Sequence, residues 1–192
     1  GVGTDGTSFQ FSVSENNWLG RGVKLQSALN LSEEKVSGNI SINNPNYKNS
    51  DKSLITSLEA SQIDQMSKFG YKSTKTGFSV GTLFEQYDDI YFSPTISNYF
   101  ETLKTSSSAS DAKKKQKGEY FDSNFNYGLT LNKLNQNYQP SAGFRSSFYQ
   151  TLPIYSDDLS IENTYDFAKY YSPNENAIQS FKFLIQSINS LS

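Results

Sequence analysis

The feature that most constrains this chain is the strict alternation of apolar and polar residues in long runs. In residues 125–131, Phe, Tyr and Leu alternate with Asn, Gly and Thr. Successive side chains of a β-strand point to opposite faces, so each run predicts a strand with one apolar and one polar face. The pattern predicts about ten strands and the tail of another at 1–3. The clearest runs are residues 9–14, 23–31, 36–42, 54–61, 78–85, 121–131, 159–167 and 181–186.

The predicted strands are long, and the chain is polar but rich in aromatic residues. Hydrophobic residues make up 35% and aromatic residues 15% of the 192 residues. Soluble strands are usually about 5–6 residues long, whereas long antiparallel strands with an apolar outer face are typical of transmembrane barrels. We therefore predict an all-β fold, an antiparallel up-and-down transmembrane β-barrel, here a partial barrel formed by a curved meander of about 10–11 strands. A soluble β-sandwich or a lipocalin-like barrel is the alternative.

The composition excludes several functional classes. His and Cys are both absent, so a His–Cys zinc site, a cysteine nucleophile and a Ser-His-Asp triad are impossible. The net charge of −2 excludes a strongly basic nucleic-acid binder, so no nucleic acid is expected as a partner. The paired acids Asp88-Asp89, Asp157-Asp158 and Glu33-Glu34 lie in predicted turns and are interpreted as solvated loop charges.

Two segments carry motifs beyond the alternation. Residues 15–22 read Glu-Asn-Asn-Trp-Leu-Gly-Arg-Gly, and residues 43–47 read Asn-Asn-Pro-Asn-Tyr. Residues 125–143 combine a strand with a turn that ends Pro-Ser-Ala-Gly. Together they resemble the barrel of the BamA-type outer-membrane assembly factors of the bacterial surface-antigen superfamily. The resemblance has three departures: an extra residue at Asn46, Asn135 where Asp is frequent and Ser141 where Thr is frequent.

The resemblance implies that residues 1–192 form one partial barrel domain, from the end of its first strand to about its eleventh. POTRA repeats would precede it, and the final strands and an Arg-Gly-Phe/Tyr loop would follow; neither is in this sequence. The implied function is the folding and insertion of β-barrel proteins into the bacterial outer membrane, with no enzymatic activity, cofactor or metal. The implied partners are outer-membrane lipid and lipopolysaccharide, unfolded β-barrel clients and periplasmic accessory lipoproteins. Two alternatives remain, a passive porin and a related translocator of the TamA or two-partner secretion type.

The resemblance also assigns site residues. The predicted periplasmic turns contain Asn17, Trp18, Leu19, Gly20, Asn44, Pro45, Pro140 and Gly143. Trp18 is interpreted as an interfacial aromatic residue or as an anchor for periplasmic partners. The predicted remnant of the gate strand is Gly1, Val2 and Gly3, whose glycines would weaken strand pairing.

Charged residues of the polar face form a second group of candidates. Arg145, Glu162, Asp166 and Lys182 are expected to face the lumen and to form ion pairs there. We expect some of these acids to meet the arginine of the Arg-Gly-Phe/Tyr loop. The cluster Lys113–Lys117 is expected in an exposed extracellular loop, either solvated or in contact with lipopolysaccharide phosphate.

Overall fold

The structure is a computed structural model that describes residues 2–3, 6–156, 159–174 and 177–191. Gly1 of the predicted gate strand and the acidic pair Asp157-Asp158 lie outside the described residues. None of the helices in the described part of the chain is long and apolar enough to span a membrane.

Eleven antiparallel strands follow one another in a single meander. The sheet order is the order of the sequence, β1 to β11, and β1 and β11 are its two edges. The sheet is therefore open, and the predicted all-β, antiparallel partial barrel is confirmed. The strands are β1 (Val2–Gly3), β2 (Gly6–Trp18), β3 (Val23–Ser32), β4 (Lys35–Asn44), β5 (Ser53–Gln65), β6 (Tyr71–Tyr87), β7 (Ile90–Thr105), β8 (Gly118–Asn132), β9 (Gly143–Tyr155), β10 (Ser160–Asn174) and β11 (Ala177–Ser190).

Because the connections alternate between two ends of the sheet, the loops form two groups. The turn end comprises residues 19–22, 45–52, 88–89 and 133–142, and the loop end comprises residues 33–34, 66–70 and 106–117. The turn end contains a 3₁₀ turn, Tyr47–Asn49, and the loop end contains two single-turn helices, α1 (Met66–Phe69) and α2 (Asp111–Lys115). These short helices interrupt loops and contribute no layer to the fold.

The end of β10 is irregular. The sequence Ser172-Pro173-Asn174 is of a type that favours a turn, but β10 continues to Asn174, with a shift of register after Tyr171. The hydroxyl of Ser172 donates to the carbonyls of Asn174 and Ala177, both at 3.0 Å. These bonds hold the proline-containing segment at the sheet, so Pro173 lies in an irregular strand end.

Candidate functional site

The two faces of the sheet differ as the alternation predicts. One face, here called the apolar face, carries a continuous surface of large side chains that none of the described elements covers. Phe11 is 60%, Leu58 is 61% and Phe181 is 63% exposed. Monomeric soluble proteins rarely expose such a contiguous surface, and a lipid-facing barrel wall requires one.

Charges are absent from the middle of the apolar face. In β6 the outward residues between 74 and 84 are Thr74, Thr76, Phe78, Val80, Thr82 and Phe84, and the outward residues of β7 between 92 and 102 are uncharged as well. Eleven residues cover about 34 Å along a strand, or about 26 Å at the tilt usual in barrels. The apolar band of membrane barrels is about 25 Å tall, so the charge-free band matches the thickness of a bilayer.

The opposite face, here called the polar face, is tied together by hydrogen bonds between short side chains. Asn126 donates to the hydroxyl of Ser97 at 2.5 Å and accepts from the hydroxyl of Thr151 at 2.9 Å. Thr130 donates to the hydroxyl of Ser147, which is buried, with 1% of its surface exposed. These bonds between uncharged side chains form a network that joins β7, β8 and β9 across the polar face.

Two glycines of the polar face provide room for aromatic rings. Tyr99 lies over Gly77, where an added Cβ would collide with the ring, and Tyr149 lies over Gly128 in the same way. Both tyrosines therefore lie flat against the wall. This packing explains why glycine occupies the interior of β6 and β8, where it otherwise weakens a strand.

The predicted lumen charges all lie in β9, β10 and β11, and the structure brings two of them together. The guanidinium of Arg145 donates to the carboxylate of Asp166 at 3.2 Å across the β9–β10 pair. Glu162 lies four residues before Asp166 in β10, opposite Thr151, and forms no ion pair with the described residues. Lys182 lies opposite Ala168, and its ammonium is 6.0 Å from the centre of the Tyr170 ring.

All the predicted turn residues lie at the turn end. Asn17 and Trp18 are the last residues of β2, and the reversal itself spans residues 19–22. The side chain of Asn17 accepts from the N–H of Gly22 at 2.7 Å, which closes the turn. Leu19 and Gly20 have positive φ angles of 58° and 66°, a backbone conformation that glycine adopts without strain.

The loop after β4 uses a similar device. Asn44 ends β4, and its side-chain oxygen accepts from the N–H of Asn46 at 3.2 Å around Pro45. An Asn side chain that caps its own loop in this way stabilises an Asx turn. The extra residue Asn46 is therefore accommodated as the donor of this turn.

The loop that contains Pro140 is organised from its other end by Asn135. The side-chain oxygen of Asn135 accepts from the N–H groups of Ser141 at 3.2 Å and Ala142 at 3.1 Å. Its amide donates to the Ser141 hydroxyl at 2.9 Å. Gly143 begins β9 with a φ of 94°, and a Cβ there would collide with the carbonyl of Lys133. Asn135 thus does what an Asp would do as acceptor and adds a donor.

The remaining predicted gate residues form the shortest strand. Val2 and Gly3 pair with Thr7 and Gly6 of β2. Beyond these two pairs, β2 has no strand on that side among the described residues, so residues 9–16 lie at an open edge of the sheet.

Sequence reasoning missed two ion pairs between loops. At the loop end, Glu34 accepts from the ammonium of Lys68 and from the amide of Gln65 at 2.8 Å. The hydrogen bond from Lys68, followed by that from Gln65, lowers the pKa of Glu34. At the turn end, Lys133 pairs with Asp89, and this hydrogen bond raises the pKa of Lys133. These partners are more than 30 residues apart in sequence, so only the strand register identifies them.

Comparison with known proteins identifies the family. The model of the Omp85 superfamily domain matches residues 17–190. Among solved structures, the chain is similar to BamA from Haemophilus ducreyi lacking POTRA domains 1–3, with a TM-score of 0.74 and 19% identity. The match covers 97% of this chain and 39% of that chain, so this chain spans about two fifths of its length. At this identity the likeness shows the fold, and the family match over most of the residues shows that the chain belongs to the Omp85 superfamily.

Proposed function

We propose that this chain is barrel wall of an outer-membrane assembly factor, which folds β-barrel clients and inserts them into the bacterial outer membrane. The observation that carries the proposal is the Omp85 match over residues 17–190, on a sheet whose apolar face has a charge-free band of bilayer thickness. The fold shared with BamA from Haemophilus ducreyi supports the same assignment. In this proposal residues 1–192 are one partial barrel domain, completed by further strands and preceded by POTRA repeats.

The proposed mechanism uses the edge at β1 and β2. Unpaired backbone groups at the edge of a sheet pair readily with another strand. A client strand would add to this edge, so its backbone groups would be satisfied before they enter hydrocarbon. Val2 and Gly3 cover this edge of β2 with only two described residue pairs. Such short pairing supports an edge that can open to a client strand. No enzymatic step or cofactor enters this mechanism.

The residues of the turn end and the polar face have proposed roles in the same mechanism. The periplasmic turns would present Trp18 and the loop of residues 133–142 to POTRA repeats or accessory lipoproteins. On the polar face, Asp166 and Glu162 would meet the arginine of the Arg-Gly-Phe/Tyr loop. Asp166 already binds one guanidinium, that of Arg145, at 3.2 Å, which supports its ability to hold a second one.

The test is a reconstitution of the whole protein in phosphatidylcholine vesicles, with an unfolded outer-membrane barrel as client. The proposal expects the client to become heat-modifiable and protease-protected several-fold faster than with empty vesicles. Conductance of the same vesicles is measured in parallel. A large, steady, open pore without faster client insertion would refute the proposal in favour of a passive porin. Export of a soluble passenger without client insertion would instead favour a two-partner secretion transporter.

A further inference from the structure

Two lysines lie on the apolar face where it meets the loop end. Lys72 of β6 and Lys104 of β7 are direct cross-strand partners in the antiparallel register. Lys72 lies on the same face of β6 as Phe78, and Lys104 lies on the same face of β7 as Ile96. Both lysines therefore lie on the apolar, outward face. Like charges directly opposite each other destabilise a strand pair, so this pair requires an explanation.

The protein itself neutralises only one of the two charges. The ammonium of Lys72 lies 3.1 Å from the carboxylate of Asp64 on the neighbouring strand β5. Lys104 is exposed and forms no ion pair with any residue that the structure describes. Lys117 immediately precedes β8, whose first residue, Gly118, pairs with Leu103. Lys117 is therefore one residue outside the last β7–β8 pair, at the same end of the sheet as Lys104.

The charge of this corner differs from that of the rest of the chain. Residues 64–72 and 104–119 together contain seven lysines and three acidic residues, a net charge of +4 in a chain of net charge −2. The acidic residue nearest the lysine row on β8 is Glu119, which pairs with Thr102 one step toward the middle of the strand. The lysine row is thus a local cationic rim on an otherwise slightly acidic protein.

An aromatic surface lies below this rim, toward the middle of the sheet. Phe100 and Phe121 are cross-strand partners with ring centres 4.6 Å apart, and Tyr155 lies 5.8 Å from Phe121. Phe100 is four residues from Lys104, which is about 13 Å along the strand. Cationic side chains above an aromatic, apolar surface match an amphiphile with an anionic headgroup and acyl chains.

We propose that Lys72, Lys104 and Lys117 bind the phosphate groups of a phosphorylated glycolipid in the membrane leaflet at the loop end, with its acyl chains against Phe100 and Phe121. The inference rests on the bilayer placement in the proposed function and not on assembly activity. Phosphate oxygens supply the missing negative charge between Lys72 and Lys104. The ligand is a lipid because Lys72, Lys104 and the aromatic surface share the outward face.

The test uses the whole protein in phosphatidylcholine nanodiscs, with bound lipid counted by native mass spectrometry. The probe is lipid A with two phosphates, compared with the same lipid after removal of both phosphates. Each lysine near an anionic membrane surface contributes about fivefold in affinity. The double variant Lys72→Gln, Lys104→Gln should therefore bind lipid A about 25-fold more weakly.

Two further variants separate this site from general charge effects. The control Lys48→Gln, Lys52→Gln removes the same charge from the turn end, where nanodisc lipid is equally present, and should leave binding within twofold of the unsubstituted protein. Asp64→Asn releases Lys72 from its ion pair and should tighten binding. Its amide oxygen preserves the acceptor for the N–H of Met66, now 3.2 Å from the carboxylate.

The outcomes distinguish the possible failures. Equal binding by the double variant, or equal binding of the dephosphorylated lipid, overturns the site. Displacement of lipid A by millimolar inorganic phosphate, with phosphate retained in lipid-free detergent, overturns the lipid assignment in favour of a free-phosphate site. Client insertion is measured for all variants in pure phosphatidylcholine vesicles, where we expect unchanged rates. Lysine-dependent lipid binding without client insertion by the unsubstituted protein would refute the proposed function and support this site.

Discussion

A charge at the centre of the apolar face provides the sharpest test of which medium that face contacts. Leu58 lies in the middle of β5, in register with Ile40 and Phe78 on the neighbouring strands, and is 61% exposed. In water, Leu58→Arg at so exposed a position would change the free energy of unfolding by less than about 0.5 kcal/mol. In a bilayer, the same change costs about 2–4 kcal/mol, because the guanidinium loses its hydration at the midplane.

The matched control places the same side chain at the same depth on the other face. Asn39 is the neighbour of Ile40 in β4 and pairs in register with Glu59. Asn39→Arg therefore puts a cation on the polar face opposite a carboxylate. We expect this variant to change the free energy of unfolding by less than about 0.5 kcal/mol.

The assay is equilibrium folding of the whole protein into phosphatidylcholine vesicles across a urea series, read by heat-modifiable mobility. A cost of 2–4 kcal/mol reduces the ratio of folded to unfolded protein by about 30- to 900-fold, so Leu58→Arg should shift the midpoint strongly to lower urea. Equal midpoints for Leu58→Arg and Asn39→Arg would refute the conclusion that lipid covers the apolar face.

Three further changes test the polar face and the loop end. Gly77→Ala should lower the free energy of unfolding by about 1–3 kcal/mol because the added Cβ collides with the Tyr99 ring. The control Gly38→Ala should be tolerated because the nearest atoms to its Cβ would lie at 3.7 Å. Equal urea midpoints for the two variants would contradict this packing. Since the pKa of Glu34 is lowered in the folded state, its stabilising effect is present at neutral pH and is lost as the pH falls below about 4.5. Glu34→Gln should therefore reduce the loss of stability that is measured between pH 7 and pH 3. An unchanged loss of stability over this pH range would exclude this contribution. Asp166→Lys should impair growth when the variant is the cell's only copy of the protein, because it replaces an acid of the polar face by a second cation, and normal growth would exclude the proposed role.

The face of each residue could be predicted from the sequence, because the period of two depends on the strand alone. The ladder register could not, since it depends on loop conformations. The bulge after Tyr171 shows the limit: a proline-containing segment predicts a turn, and the hydroxyl of Ser172 keeps it at the sheet. The strand β7 was also hard to recognise. Pro94 lies in its interior, and the pairing with β6 is interrupted opposite it, between Gly81 and Phe84.

The candidate turn residues were predictable for a related reason. A turn needs local groups, so Asn17 closes its reversal on Gly22, five residues away. The ion pair of Arg145 and Asp166 required only the parity of adjacent strands and a short connection. In contrast, Lys72 lies near the start of β6 and its partner Lys104 near the end of β7. Nothing in either local sequence indicates that these two lysines meet.

The position of the charges links the fold to both proposals. On the apolar face of β5 to β8, charged residues occur only toward the loop end, at Asp64, Lys72, Lys104 and Glu119. A charge within hydrocarbon costs several times more than one at the interface, so the charge-free band places the bilayer on the sheet and the lysine row at its boundary. The same boundary is where lipid phosphates lie. The feature that identifies the membrane wall therefore also places the cationic rim at the depth of its proposed ligand.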